Sequence, residues 1–267
     1  MQLQKLPIGI QTFQKIRDKE ENYLYIDKTD IALELIDNSS YIFLSRPRRF
    51  GKSLFMDTIQ EIFQGNKALF EGLYIYDKWD WEVKYPVIKI SWDGNMRNLK
   101  EIEDVALRNL EKNKIRLGIE CKNHSNISIC LDEIIEKAYE KYGQKVVVLI
   151  DEYDKPILDS IENIEQAKLN REFIKGIYSI LKGCDQYLKF TMLTGVSKFS
   201  RASIFSGLNM LKDISLTPKY GNICGYTQEN IENEFLPYLE DVNLQKLKIW
   251  YNGYNFLKDD VYNPFDI

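Results

Sequence analysis

The chain has 267 residues, of which 44% are hydrophobic and 28% charged, proportions that are ordinary for a globular protein. Its formal net charge of -4 excludes a global basic field of the kind that attracts nucleic acid, so any polyanion site must be a local patch. The N-terminus lacks a charged and then apolar signal segment, and no apolar run approaches the length of a membrane span. We therefore predict a cytoplasmic protein with no membrane association.

The four cysteines are scattered along the chain and include no CxxC pair; they are Cys121, Cys130, Cys184 and Cys224. This spacing predicts reduced thiols, as expected in a cytosolic protein. The single histidine, His124, is too little to complete a zinc site with them.

Strand-like and helix-like segments alternate along the first 220 or so residues, which predicts an α/β fold with a mostly parallel sheet. The predicted strands, in chain order, cover residues 41–45, 86–92, 145–150, 189–196 and 211–217. The predicted helices cover residues 53–64, 98–114, 129–142 and 167–182. After residue 221 the pattern changes to a small helical appendage, with Thr227 as its N-cap. The chain stops at residue 267 without a terminal helix or polar tail, which we interpret as a fragment.

Residues 41–53, YIFLSRPRRFGKS, combine an apolar strand with a Gly-Lys-Ser turn. The pattern resembles the phosphate-binding loop GxxxxGK[ST], except that Arg46 stands at the first glycine. Gly51 allows the backbone to approach an anion, and Lys52 would reach the β- and γ-phosphates. Ser53 would bind Mg²⁺, while the backbone N–H groups of residues 49–53 would surround the phosphates.

A second set of polar residues follows the apolar strand in VVVLIDE, residues 146–152. Ligands bind at the carboxyl ends of strands in open α/β sheets, so both carboxylates should project there. Asp151 would hold the metal through its water shell, and Glu152 would orient and deprotonate the attacking water. The alternative is structural, with Asp151 or Asp154 capping the next helix.

Thr194 and Arg201 are two further candidates near the end of the following strand. Thr194 would contact the γ-phosphate or the lytic water, or else satisfy its own backbone. Arg201 would act as an arginine finger supplied in cis, or else be a solvated surface charge.

Several longer motifs carry a family resemblance: FLSRPRRFGKSLFMDTI, VVVLIDEYDKPI, TGVSKFSRASIFSGLNML and the later YNGYNF and VYNPFDI. Together they resemble the bacterial AAA-ATPase-like family, P-loop NTPases usually fused to a C-terminal nuclease-like domain of the PD-(D/E)XK type. SRPRRFGKS is this family's form of the loop. The resemblance therefore implies that Arg46, Arg48 and Arg49 add charge where the glycine turn is lost, and that Phe50 belongs to the nucleotide-binding loop.

The same resemblance implies a P-loop NTPase fold of the additional-strand type, in which the catalytic strand is inserted beside the loop strand and helices flank the sheet. It implies an NTPase domain over residues 1–218 and a partial lid or linker, helical or winged-helix-like, over residues 219–267. The nuclease-like effector domain would be missing from this chain. ATP and Mg²⁺ would be the cofactors.

The function that the resemblance favours is an ATP-hydrolysing switch that regulates a C-terminal effector. Because Arg46 replaces a glycine, a nucleotide-binding module that does not hydrolyse is the alternative. Direct nucleic-acid binding through RPRR is disfavoured by the acidic net charge. A small-molecule kinase would need a second substrate loop, which we do not find. The nucleobase and the oligomeric state stay open.

Overall fold

The structure is a computed structural model that describes residues 3–123, 126–198, 210–240 and 242–267. The chain forms two compact units, which we name by their main feature. The loop unit consists of Met1–Asn38, Arg46–Glu82 and Asp213–Ile267, and the sheet unit consists of Ser39–Ser45 and Val83–Lys212. Each unit combines segments that are separate in the chain. The boundary predicted at residue 218, between an NTPase domain and a lid, stays a prediction.

The strands form two sheets. They are β1 (Tyr41–Ser45), β2 (Val87–Ser91), β3 (Val146–Asp151), β4 (Leu188–Gly195), β5 (Lys212–Asp213), β6 (Tyr226–Thr227), β7 (Tyr254–Phe256) and β8 (Asp259–Tyr262). The larger sheet has the order β2-β3-β4-β1-β5, and its first four strands pair in parallel. Strand β4 thus lies beside β1 and separates it from β3, and the additional-strand type of P-loop fold stays a prediction. The strand expected at residues 211–217 is reduced to the two residues of β5.

The α-helices of the described residues are α1 (Phe13–Ile16), α2 (Thr29–Asn38), α3 (Lys52–Phe63), α4 (Leu99–Leu117), α5 (Ile127–Tyr142), α6 (Lys155–Leu158), α7 (Ile164–Gly183), α8 (Gln228–Glu234) and α9 (Leu244–Tyr251). In the sheet unit, α4, α5 and α7 each begin after an asparagine whose side chain accepts a backbone N–H of the first turn. Their apolar faces share one core with β1 to β4, which confirms a sheet flanked by helices. No described helix combines the length and the apolar character needed to cross a bilayer.

Two asparagines of α4 cover the edge of the larger sheet that is formed by β2. Asn109 accepts the N–H of Ser91 and donates to its carbonyl, and Asn113 does the same for Lys89. They lie one helical turn apart and serve alternate residues of β2, so their amides act as a substitute for a neighbouring strand. Because unpaired edge strands invite aggregation, this cover protects the sheet.

The C-terminal part of the loop unit contains a small antiparallel sheet of order β6-β8-β7. Thr227 is the N-cap of α8, as predicted, and forms a capping box with Asn230. The sequence pattern predicts a helical appendage; the region has two helices, and its residues 254–262 pair as a β-hairpin in addition. A winged-helix-like lid stays a prediction.

A disulfide joins Cys121, in the connection between α4 and α5, to Cys130 in the first turn of α5, and their Cα atoms lie 5.3 Å apart. The prediction of four reduced thiols was therefore wrong for this pair. Spacing along the chain could not reveal it, because the turn between two helices brings the residues together. Cys184 and Cys224 are buried and carry no disulfide. Since disulfides are rare in reducing compartments, the cysteines no longer support a cytoplasmic location.

Candidate functional site

The loop of residues 46–53 follows the last residue of β1 directly and ends in the first turn of α3. Arg49 and Gly51 both have left-handed backbones, with φ of 64° and 93°. A Cβ added to Gly51 would have no heavy atom within 4 Å. Glycine is therefore favoured at this position because of the positive φ of the backbone, and not because neighbouring atoms leave no space. Left-handed residues just before a helix N-terminus turn backbone N–H groups into a concavity that suits a phosphate.

The Lys52 side chain is folded onto its own loop and is buried. Its Nζ atom donates to the carbonyl oxygens of Arg46, at 3.0 Å, and Pro47, at 2.9 Å. These contacts hold the ammonium group against the loop, and its contact with the β- and γ-phosphates stays a prediction. Ser53 follows in the first turn of α3 and is partly buried.

Arg46, at the position of the missing glycine, is 1% exposed. Its Nη1 atom donates to the carbonyl of Ser215 at 2.6 Å, and its Nη2 atom donates to those of Tyr220 at 3.0 Å and Gly221 at 3.4 Å. Its guanidinium also lies 3.8 Å from the ring centroid of Phe256. Burial lowers the pKa of Arg46 from its ordinary value, yet an arginine stays charged at any physiological pH. The guanidinium thus links the loop to later segments of its unit, and direct contact with a nucleotide stays a prediction.

The other predicted loop residues divide by exposure. Arg48 and Arg49 are exposed, and the Arg49 guanidinium lies 3.8 Å from the ring centroid of Phe265. Phe50 is fully buried, with its ring centroid 4.8 Å from that of Tyr254 in an edge-on arrangement. Phe50 therefore contributes packing through its side chain, and only its backbone is available for phosphate.

In the sheet unit, the structure brings Asp151 and Thr194 together at the carboxyl ends of β3 and β4. Asp151 is buried, accepts a hydrogen bond from the Thr194 hydroxyl and also accepts the N–H of Glu152 at 3.1 Å. The hydroxyl of Thr194 thus serves the carboxylate and not its own backbone. A carboxylate with a hydroxyl beside it is an all-oxygen donor set, which fits Mg²⁺ better than a soft metal.

Glu152 directly follows β3 and has a left-handed backbone, with φ of 56°. Its neighbours hold this uncommon conformation in place: the N–H of Tyr153 donates to the carbonyl of Thr194 at 2.9 Å, and the N–H of Lys155 donates to that of Glu152 at 2.9 Å. Strained backbone of this kind concentrates at functional sites. The Glu152 side chain is partly exposed.

Asp154 is a buried carboxylate that our sequence reasoning considered only as a helix cap. It is the N-cap of α6 but makes no capping bond through its side chain. It accepts instead the N–H groups of Val196, at 3.1 Å, and Ser197, at 2.7 Å, together with the Ser197 hydroxyl. Asp154 thus fastens the turn after β3 to the segment after β4. The signal for this role in the sequence was that Asp154 is a third acidic residue, two positions after Glu152.

Arg201 lies outside the described residues, so its role as a finger stays a prediction. Within the described ranges, no group of three or more His, Cys, Asp or Glu side chains forms a metal cluster.

Comparison with known proteins gives two matches. A family model described as "Predicted AAA-ATPase" matches residues 7–205, a range that includes the loop, both strand-end carboxylates and Thr194. A protein of Azotobacter chroococcum mcd 1, described as "Uncharacterized protein in vnfD 5'region", is 47% identical over 268 residues, which cover 100% of this chain and 52% of that relative. The chain thus spans about half the length of the curated relative that it matches. On the extent of the family match and this identity, the chain belongs to the AAA-ATPase-like family.

Proposed function

We propose that this chain binds ATP with Mg²⁺ and hydrolyses it as a switch. The observation that carries the proposal is the loop: Lys52 is held by the carbonyls of Arg46 and Pro47, beside a left-handed Gly51 that opens α3. The arrangement presents an ammonium group and helix N–H groups at one place, which is what a polyphosphate requires. Membership of the AAA-ATPase-like family independently suggests a nucleotide-binding, ATPase-like module.

The chain's own residues would divide the work as follows. Lys52 would exchange its loop carbonyls for phosphate oxygens, and Ser53 and Asp151 would hold the metal. Bound Mg²⁺ would neutralise charge on the phosphates. Glu152 would orient a water molecule and accept its proton, while Thr194 would keep the Asp151 carboxylate in its orientation.

The effector belongs to the same proposal. The family resemblance implies a nuclease-like partner domain, which the region after residue 219 would control as a lid. We do not propose that this chain binds nucleic acid directly. A cytoplasmic location and Arg201 as a finger are likewise parts of the proposal that rest on sequence.

The test compares four variants with the wild type. Binding of a fluorescent ATP analogue and Mg²⁺-dependent phosphate release would be measured for Lys52→Ala and Glu152→Gln. Matched controls are Lys100→Ala and Glu165→Gln, whose side chains are 80% and 82% exposed. We expect Lys52→Ala to lose binding, and Glu152→Gln to bind normally but release phosphate about 10²- to 10⁴-fold more slowly, the usual contribution of a general base.

Three results would change the conclusion. Binding by the wild type without Lys52-dependent phosphate release would favour the non-hydrolysing regulatory module. Full phosphate release by Glu152→Gln would remove the role of this residue as the base. No binding by the wild type would refute the proposal as a whole.

A further inference from the structure

Three side chains of the phosphate loop contact aromatic rings from the C-terminal end of the loop unit. Phe50 packs edge-on against Tyr254 and Phe256 of β7, at centroid distances of 4.8 and 5.8 Å. Arg46 lies over the ring of Phe256, and Arg49 lies over that of Phe265, each at 3.8 Å. Contacts from one loop thus converge on a single hairpin and the segment that follows it.

A glycine permits this approach. Gly225, just before β6, has φ of 86°, and a Cβ there would lie 2.8 Å from Cε1 of Phe50. The same Cβ would lie 2.9 Å from the carbonyl oxygen of Tyr262 in β8. The loop and the small sheet are therefore packed without a gap at this point, and neither can shift without moving the other.

The two stacked arginines differ in how firmly they are held. Arg46 is buried, and its guanidinium donates hydrogen bonds to three carbonyls. The position of this side chain is therefore fixed by hydrogen-bond geometry as well as by charge. Arg49 is exposed, and so is Phe265 at 43%. A charge-assisted hydrogen bond to phosphate is stronger than a solvated cation–π contact, so a bound phosphate would compete with Phe265 for Arg49.

We infer that the small sheet β6-β8-β7 positions the phosphate loop and senses whether the loop is occupied. Arg46 and Phe50 are positioning residues that transmit the state of the loop to β7 and β8, and Arg49 changes partner from Phe265 to phosphate. This inference rests on the proposed nucleotide site and adds its regulation: the hairpin is the part of the chain that reports occupancy.

Hydrogen exchange of backbone amides, measured by mass spectrometry on the full chain, tests both the positioning role and the sensing role of the small sheet. Without nucleotide, Phe256→Ala should speed the exchange of loop amides 48–53 by roughly fivefold, the equivalent of losing one cation–π or aromatic contact. The matched control is Trp250→Ala, an aromatic that is 78% exposed and should leave loop exchange unchanged. Loop exchange in Phe256→Ala equal to that of the wild type would overturn the positioning role.

The second comparison adds a non-hydrolysable ATP analogue with Mg²⁺. In the wild type, exchange should change both at the loop and at residues 254–262, and in Phe256→Ala the change should be confined to the loop. Protection of the wild-type loop with no change in the hairpin would overturn the sensing role and leave the proposed function intact. No protection anywhere would refute the proposed function and the sensing role with it, while the nucleotide-free comparison still decides positioning.

A conservative variant separates geometry from charge. Arg46→Lys keeps the positive charge, but an ammonium group cannot reproduce the planar arrangement of donors that bonds to three carbonyls. We therefore expect the non-hydrolysable ATP analogue to bind roughly tenfold more weakly to this variant. Phe256→Leu, which keeps the apolar filling but loses the ring, should change loop exchange in the same direction with a milder effect on folding. Wild-type binding by Arg46→Lys would show that charge alone matters and would overturn the positioning role of Arg46.

Discussion

Substitution of Gly225 by alanine tests how tightly the loop of residues 46–53 is packed. The new Cβ would lie 2.8 Å from Phe50 Cε1, 2.9 Å from the Tyr262 carbonyl oxygen and 3.2 Å from Val261 Cβ. Two of these neighbours belong to β8 and the third to the loop, so none is the free end of a flexible side chain. The backbone also has φ of 86°, which an L-residue rarely adopts.

The magnitude follows from two costs and one gain. A left-handed alanine costs about 1–2 kcal/mol, and forcing a methyl group into a filled site costs about 1–3 kcal/mol. Reduced freedom of the unfolded chain returns about 0.4–1 kcal/mol. We therefore expect Gly225→Ala to lower the free energy of unfolding by about 2–4 kcal/mol.

Gly72 supplies the matched control within the same unit. It has a similar φ of 79°, but a Cβ there would have no heavy atom within 4 Å. Gly72→Ala should therefore cost only about 1 kcal/mol, the backbone cost alone. Urea unfolding followed by far-ultraviolet circular dichroism gives both values, and nucleotide binding should weaken in Gly225→Ala but not in Gly72→Ala. Equal losses of stability in the two variants would refute the reasoning, because they would show that the packing against Phe50 is loose.

Three further outcomes are expected. Asp154→Asn should lower the free energy of unfolding by about 1.5–3 kcal/mol, because charge-assisted bonds to the segment after β4 are lost; a urea midpoint equal to that of the wild type would contradict this role. Alkylation in denaturant without reductant should modify only two of the four cysteines, because Cys121 and Cys130 are bonded; four modified thiols would show that the disulfide is absent. Asn113→Leu should cost about 1–3 kcal/mol by leaving backbone groups of Lys89 without their amide partner, and an unchanged urea midpoint would mean that water replaces the amide.

The larger sheet was predictable because its signals are local. Strand β1 was predicted over residues 41–45 and occurs at Tyr41–Ser45, and β3 was predicted over 145–150 and occurs at Val146–Asp151. Runs of β-branched and apolar residues mark buried parallel strands without any knowledge of their neighbours. Since Asp151 ends one such strand and Thr194 lies near the end of another, the pattern placed both at strand ends, but only the structure showed the hydrogen bond between them.

The predictions failed where the segments are short or where a contact depends on the geometry of a turn. The strand expected over residues 211–217 shrank to two residues, and the hairpin of β7 and β8 was read as part of a helical region. Strands of two to four residues leave too few positions for alternation to show. The Cys121–Cys130 disulfide depends on the turn between two helices, which no spacing rule describes.

The sequence by itself determined the α/β class, through the alternation of strand-like and helix-like segments. It also determined the Gly-Lys-Ser end of the loop and the strand-end carboxylates, because each is encoded within a dozen consecutive residues. Only the tertiary structure decided what Arg46 does. Its acceptors are the carbonyls of Ser215, Tyr220 and Gly221, roughly 170 residues further along the chain. Backbone carbonyls exist at every residue and leave no mark in the sequence, so an arginine that replaces a glycine in this loop acquires its partners only when the chain has folded.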